Sequence, residues 1–145
     1  MFNSDHKLTE SAVFYAIGDV HGEASRLRRL HKLIEERHEV LYAGRKMRLI
    51  HLGDYVDRGS DSAGVIETLM NAQGRLGDDC ICLQGNHEAM MLGGLETAAS
   101  PDYDNWLMNG GKDTVASYRR ADAFPIPKSH ITWLKTLPKI HIEAD

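Results

Sequence analysis

Residues 47–59 read MRLIHLGDYVDRG, and this stretch decides the fold. Its first half, Met47 to Leu52, has the apolar and branched composition of a strand packed in a sheet. Its second half changes character at once, with two glycines, two aspartates and an arginine between Gly53 and Gly59. Glycines let a backbone turn sharply. Carboxylates and a guanidinium are groups that hold hard cations and phosphate oxygens. The stretch therefore reads as a strand that delivers a chemically loaded loop.

The same arrangement occurs twice more. Upstream, residues 12–18 (AVFYAIG) read as a buried strand that runs into GDVHG at 18–22. Downstream, Cys80 to Leu83 reads as a strand that runs into GNHE at 85–88. The segments between are helical: in residues 23–37, Leu27, Leu30 and Ile34 recur at helical spacing among charges, and in 63–72 Val65, Ile66, Leu69 and Met70 form an apolar face. A short helix is expected from Ala89, and longer ones over Trp106–Tyr118 and Ser129–Leu137, punctuated by Pro125, Pro127 and Pro138. Ile140-His141-Ile142 looks like the opening of a further strand. Strands alternating with helices predict an α/β architecture. In an open α/β sheet, ligands bind at the carboxyl ends of the strands, where all three loops fall.

The bulk properties narrow the class. With 145 residues, 42% hydrophobic and 26% charged, the chain has the composition of one modest globular domain. A net charge of −4 gives no pull toward nucleic acid or an anionic membrane. No apolar run approaches the ~20 residues of a spanning helix. Met1 to Glu10 is polar and does not read as a secretory signal. Cys80 and Cys82 lie two apart in a strand, so they share a face and read as buried structural thiols in a reducing, cytoplasmic setting.

One Gly-Asp loop is weak evidence, but three in order at strand ends are not. Together GDVHG, GDYVDRG and GNHE resemble the signature of the phosphoprotein-phosphatase branch of the calcineurin-like metallophosphoesterases. WLMNGG at 106–111 is similar to a segment of bacterial and phage members, and the likeness runs from Tyr15 to Leu137. The resemblance implies a four-layer αββα sandwich, with residues 1–145 as the N-terminal portion of a single catalytic domain. It implies two divalent metal ions, manganese foremost, with iron or zinc as alternatives. Asp19 and His21 would ligate the first ion, Asp54 would bridge both, and Asn86 would ligate the second. A hydroxide shared by the ions would attack phosphorus in line. Arg58 would grip the phosphate oxygens, with Asn86 and His87 also contacting them. His87 would protonate the leaving alkoxide while Asp57 holds its imidazole.

The implied reaction removes phosphate from phosphoserine or phosphothreonine in proteins, with phosphotyrosine as a further substrate. An alternative is a hydrolase resembling the bis(5'-nucleosyl)-tetraphosphatases, which share the first and third loops. That family is similar but carries Ala where this chain has Asp57, and Asp where it has Glu88. A further alternative is an inactive metal-binding fragment. The family's remaining second-metal histidines and its second phosphate-binding arginine have no counterpart before Asp145. The chain therefore reads as part of a longer frame, with only Asp54 and Asn86 for the second ion. His141 is the nearest substitute but lacks the small residues that follow the family's histidine.

Plainer readings stand beside these. Asp19 and Asp54 could simply cap the helices that follow them, and Asp57 with Arg58 could be a surface ion pair. Glu88 reads as a structural carboxylate near the site, and Tyr55 and Val56 as loop packing. His31 sits on an apolar helix face, His51 is either a core histidine or a supporting partner, and His6, His38 and His130 lack a ligand-like context. Arg26, Arg28, Arg29 and Lys32 form a solvated helix face, and Met90 and Met91 fill core gaps.

Overall fold

Val13–Ile17 (β1), Met47–His51 (β2) and Cys80–Cys82 (β3) pair in parallel, in the order β1-β2-β3. The structure, a computed structural model, describes residues 12–97 and 99–142, so the reading of Met1 to Glu10 lies outside the described residues. The helical crossovers are Ala24–Tyr42 (α1) and Ser62–Leu76 (α2). Crossovers of one hand, with the strand order advancing one way, put both helices on the same face of the sheet. There α1 and α2 pack against each other.

Strand alternation decides what is buried. Ile17, Leu49, His51, Cys80 and Cys82 are buried on the helix-covered face. On the other face Phe14 and Ala16 are exposed, and Ile50 and Ile81 are only partly covered. The core joins Leu49 to Leu27 of α1, to Val65, Ile66 and Leu69 of α2, and to Met91, Trp106 and Leu134 farther along the chain. Each such side chain stabilises the fold by about 1.5–3 kcal/mol when fully buried. Asn86–Glu96 (α3), Pro101–Trp106 (α4), Lys112–Arg120 (α5) and Lys128–Thr136 (α6) complete the described residues. Helix α3 lies against α4 and α6, and α5 lies against α2.

Several boundaries differ from the sequence expectation. Helix α1 runs on to Tyr42, because nothing breaks it before Gly44, at φ 82°. Helix α3 starts at Asn86 rather than Ala89: Gly85 is its N-cap, and Glu88 reaches back to the Gly85 N–H at 2.9 Å in a capping-box arrangement. Asn86 and His87 therefore belong to a helical first turn. Residues 106–118 are not one helix, since Gly110 at φ 113° interrupts them within a widened turn at Leu107–Gly111. Ile140 and Ile142 form no strand and are 74% and 84% exposed, with no pairing partner among the described residues. One sheet of the expected αββα layering is present among the described residues.

Candidate active site

The three loops leave neighbouring strand ends and interlock through backbone. Gly59 lies so close to the first loop that a Cβ there would stand 1.8 Å from the His21 carbonyl oxygen. Gly53 also meets Gly85 closely, at 2.5 Å for an added Cβ. His21, Asp54, Asp57 and Arg58 have φ of 38°, 56°, 72° and 64°. Left-handed backbone at a non-glycine residue costs roughly 1–3 kcal/mol when the surroundings impose it.

Glu88 is what holds these turns. Its buried carboxylate accepts the backbone N–H groups of Asp54 (2.8 Å), Tyr55 (2.7 Å), Val56 (3.2 Å) and Gly85 (2.9 Å). Burial pushes the Glu88 carboxyl above its ordinary range, while the four N–H groups pull it back. Tyr55 adds a tether: its hydroxyl donates to the carbonyls of His51 (3.0 Å) and Leu83 (2.7 Å), joining the second loop to the end of β3.

His21 Nδ1 donates to the Val56 carbonyl at 2.9 Å. That bond fixes the tautomer and leaves Nε2 as the lone-pair nitrogen. Nε2 lies 3.8 Å from Asp19 Oδ2 and 3.3 Å from Arg58 Nη1. Ligand atoms of His21, Asp54 and His87 all fall within 4.8 Å of one another. The Asn86 amide meets both Asp54 carboxylate oxygens, at 3.2 and 3.3 Å. Turned one way its NH2 donates to them; turned the other, its carbonyl oxygen joins theirs around a common point, as a cation requires. Lone pairs from an imidazole, a carboxylate and an amide thus converge, a donor set suited to divalent ions.

Asp57 is fully buried, and its Oδ2 accepts from His87 Nδ1 at 2.8 Å. It is held from behind by the Trp106 indole N–H, at 3.0 and 3.1 Å, and by the Thr114 hydroxyl, at 2.7 Å. The Asp57 N–H in turn donates to Thr114 Oγ1 at 2.8 Å. Arg58 donates its N–H to the Gly110 carbonyl at 3.3 Å, and a Cβ on Gly110 would strike Arg58 at 2.9 Å. The kink at Gly110 therefore lets residues 106–114 wrap behind the second loop. Burying Asp57 with three side-chain donors differs from a solvent-exposed ion pair, and Arg58 points elsewhere.

Helix capping does not account for the aspartates either. Asp61, not Asp54, caps α2, accepting from the Gly64 N–H at 2.9 Å, and α1 has no side-chain cap. His141 does not approach the site: it lines a cavity beside Gly77 and Asp78, at the opposite end of β3. His130 pairs with the Tyr118 hydroxyl at 2.8 Å, and His38 with the Tyr15 hydroxyl at 3.2 Å. Sequence reasoning missed Trp106, Thr114 and the Val56 carbonyl. WLMNGG was a signal for Trp106 without a role, and nothing local marks a threonine 57 positions from its partner.

The chain belongs to the calcineurin-like phosphoesterase family, whose model matches residues 12–140. Among curated relatives, it is 29% identical over 124 residues to serine/threonine-protein phosphatase 1 of Salmonella typhimurium, covering 83% of this chain and 50% of that protein. It is 32% identical over 134 residues to the symmetrical bis(5'-nucleosyl)-tetraphosphatase of Methylococcus capsulatus, covering 90% of this chain and 39% of that protein. A protein serine/threonine phosphatase of Saccharomyces cerevisiae superposes with a TM-score of 0.60 at 21% identity, over 90% of this chain and 34% of that one, which shows a shared fold. The chain thus spans half or less of the length of these relatives.

Proposed function

We propose that this chain supplies the metal- and phosphate-binding loops of a phosphomonoesterase acting on phosphoserine and phosphothreonine in proteins, with phosphotyrosine as a further substrate. The observation that carries this reading is the buried Asp57–His87 pair placed beside the converging ligand atoms of His21, Asp54 and His87. Asp19 and His21 would hold one divalent ion, Asp54 would be shared, and Asn86 would serve the other, with manganese the first choice. When bound, such ions lower the pKa of water and neutralise phosphate charge.

The remaining steps belong to side chains. Arg58, exposed at the mouth, would take two phosphate oxygens through its fork of donors. His87, with Nδ1 given to Asp57, keeps Nε2 to protonate the departing alkoxide. The free, buried cysteines agree with a reducing, cytoplasmic setting. Residues 1–145 are proposed as a portion of one catalytic domain.

The second reading, a dinucleoside-tetraphosphate hydrolase, draws support from the Methylococcus capsulatus relative. Asp57 and Glu88 favour the phosphatase, because an aspartate behind His87 suits a leaving group that needs a proton. Turnover of a phosphoserine peptide and of diadenosine tetraphosphate, each with excess Mn2+, decides between them. A preference for the peptide supports the first reading, a preference for the dinucleotide supports the second, and turnover of neither marks this chain as an inactive fragment.

A further inference from the structure

His51, Cys80 and Cys82 take no part in the site described above, yet the fold gathers them in its interior. Cys80 and Cys82 are free thiols, 2% and 1% exposed, both on the helix-covered face of β3. His51 stands opposite Cys82 in the β2–β3 register and is fully buried. One ligand atom from each of the three lies within 4.8 Å of the other two. His51 Nδ1 is 3.8 Å from Cys82 Sγ. We propose that His51, Cys80 and Cys82 form a second metal site, for a single Zn2+, independent of the ions at the phosphoesterase loops.

The three donors, within 4.8 Å of one another, would draw together around one ion, with the fourth position left to water. A tetrahedral zinc with bonds of about 2.3 Å to sulfur and about 2.0 Å to nitrogen separates its donors by about 3.5–3.8 Å. The donor set is also distinct: thiolates select a thiophilic ion, whereas the carboxylate, amide and imidazole of the loops do not discriminate in that way. Two thiolates neutralise the dication, so the buried unit carries no net charge. Binding releases the two thiol protons, so affinity rises with pH.

His51 is already oriented for ligation. Its Nε2 lies 2.8 Å from His31 Nε2, in a buried contact. With His51 Nε2–H donated to His31, the lone pair of His51 is on Nδ1, the atom facing Cys82. An outer partner that fixes the ring in this way is usual for metal-bound histidine. A cavity of about 410 Å³ lies at the outer edge of β3, with Cys80, Cys82, Gln73 and Asp78 in its lining.

Titration of the reduced protein with Co2+ under anaerobic conditions tests the proposal, because Co2+ replaces Zn2+ and reports sulfur ligation. The expected result is an intense near-ultraviolet thiolate-to-cobalt charge-transfer band, bleached by Zn2+. The band should be lost in Cys82→Ser and in Cys80→Ser, and kept in Asp54→Asn, which disables only the loop site. Co2+ saturation of the wild-type protein without that band overturns the proposal and leaves the trio as hydrogen-bonded core. A band that persists in folded Cys82→Ser also overturns it. Should either serine variant fail to fold, the wild-type spectrum and the Asp54→Asn spectrum still decide. Neither outcome depends on whether the loops hydrolyse phosphate esters.

Discussion

In the proposed reaction His87 carries the sharpest demand, because its imidazole must be held in one orientation. Asp57 orients it through one 2.8 Å hydrogen bond. General-acid catalysis contributes on the order of 10²–10⁴-fold, and it matters most when the leaving group is a poor one. His87→Asn is therefore expected to cost about that much on a phosphoserine peptide and far less on an aryl phosphate such as p-nitrophenyl phosphate; equal losses in kcat on the two substrates would refute the assignment. In the proposed reaction Trp106 and Thr114 would act only through Asp57, which both contact. Thr114→Val and Trp106→Phe each remove a donor to a buried carboxylate, a loss of about 1–3 kcal/mol in stability. Each should reproduce the substrate contrast of His87→Asn at smaller amplitude. A variant that unfolds more easily in urea but loses activity equally on both substrates would show a structural role alone.

Among the elements, α1 and β2 meet through His31 and His51, and this contact has a pH consequence. In the unfolded chain His31 protonates near 6.5, whereas in the fold burial and then His51 hold it to about 4, with Glu35 pulling upward and Arg75 downward. A lowered pKa means stability that is complete above pH 6.5 and is lost as pH falls toward 4. His130 on α6 is shifted the same way, chiefly by burial. In metal-free buffer the urea midpoint should fall from pH 7.5 to pH 5, and His31→Gln should flatten that slope. A midpoint that rises on acidification would contradict the burial argument. Helix α3 shows a related economy: its first turn carries Asn86 and His87 toward the site, and its capping residue Glu88 also clamps the second loop.

For the whole molecule, the three loops are joined at one point that a cation would share. A ligand that binds only the folded state stabilises it by about 2.7 kcal/mol at one hundred times its dissociation constant. Mn2+ should raise the melting temperature of the wild-type protein, EDTA should reverse the gain, and Asp54→Asn should abolish it. A shift of equal size in Asp54→Asn would place the binding elsewhere. The sheet itself is covered on one side only among the described residues, with Phe14 and Leu52 44% and 52% exposed. No helix among them is long and apolar enough to cross a membrane.

Local patterning was enough to find the alternating strands and helices and the three loops, because apolar periodicity and glycine-bounded turns are written in neighbouring residues. It singled out Asp19, His21, Asp54, Asp57, Arg58, Asn86 and His87 as candidates for the same reason. It could not start α3 at Asn86, since the cap depends on Glu88 folding back, nor break 106–118 at Gly110, since that break follows from contact with Arg58. The cradle of Trp106 and Thr114 around Asp57, and the meeting of His51 with Cys82, join residues about 30 to 57 positions apart. Only tertiary packing decides such pairs: burial forces each polar group to find a partner, and the partner is whichever side chain the fold brings near.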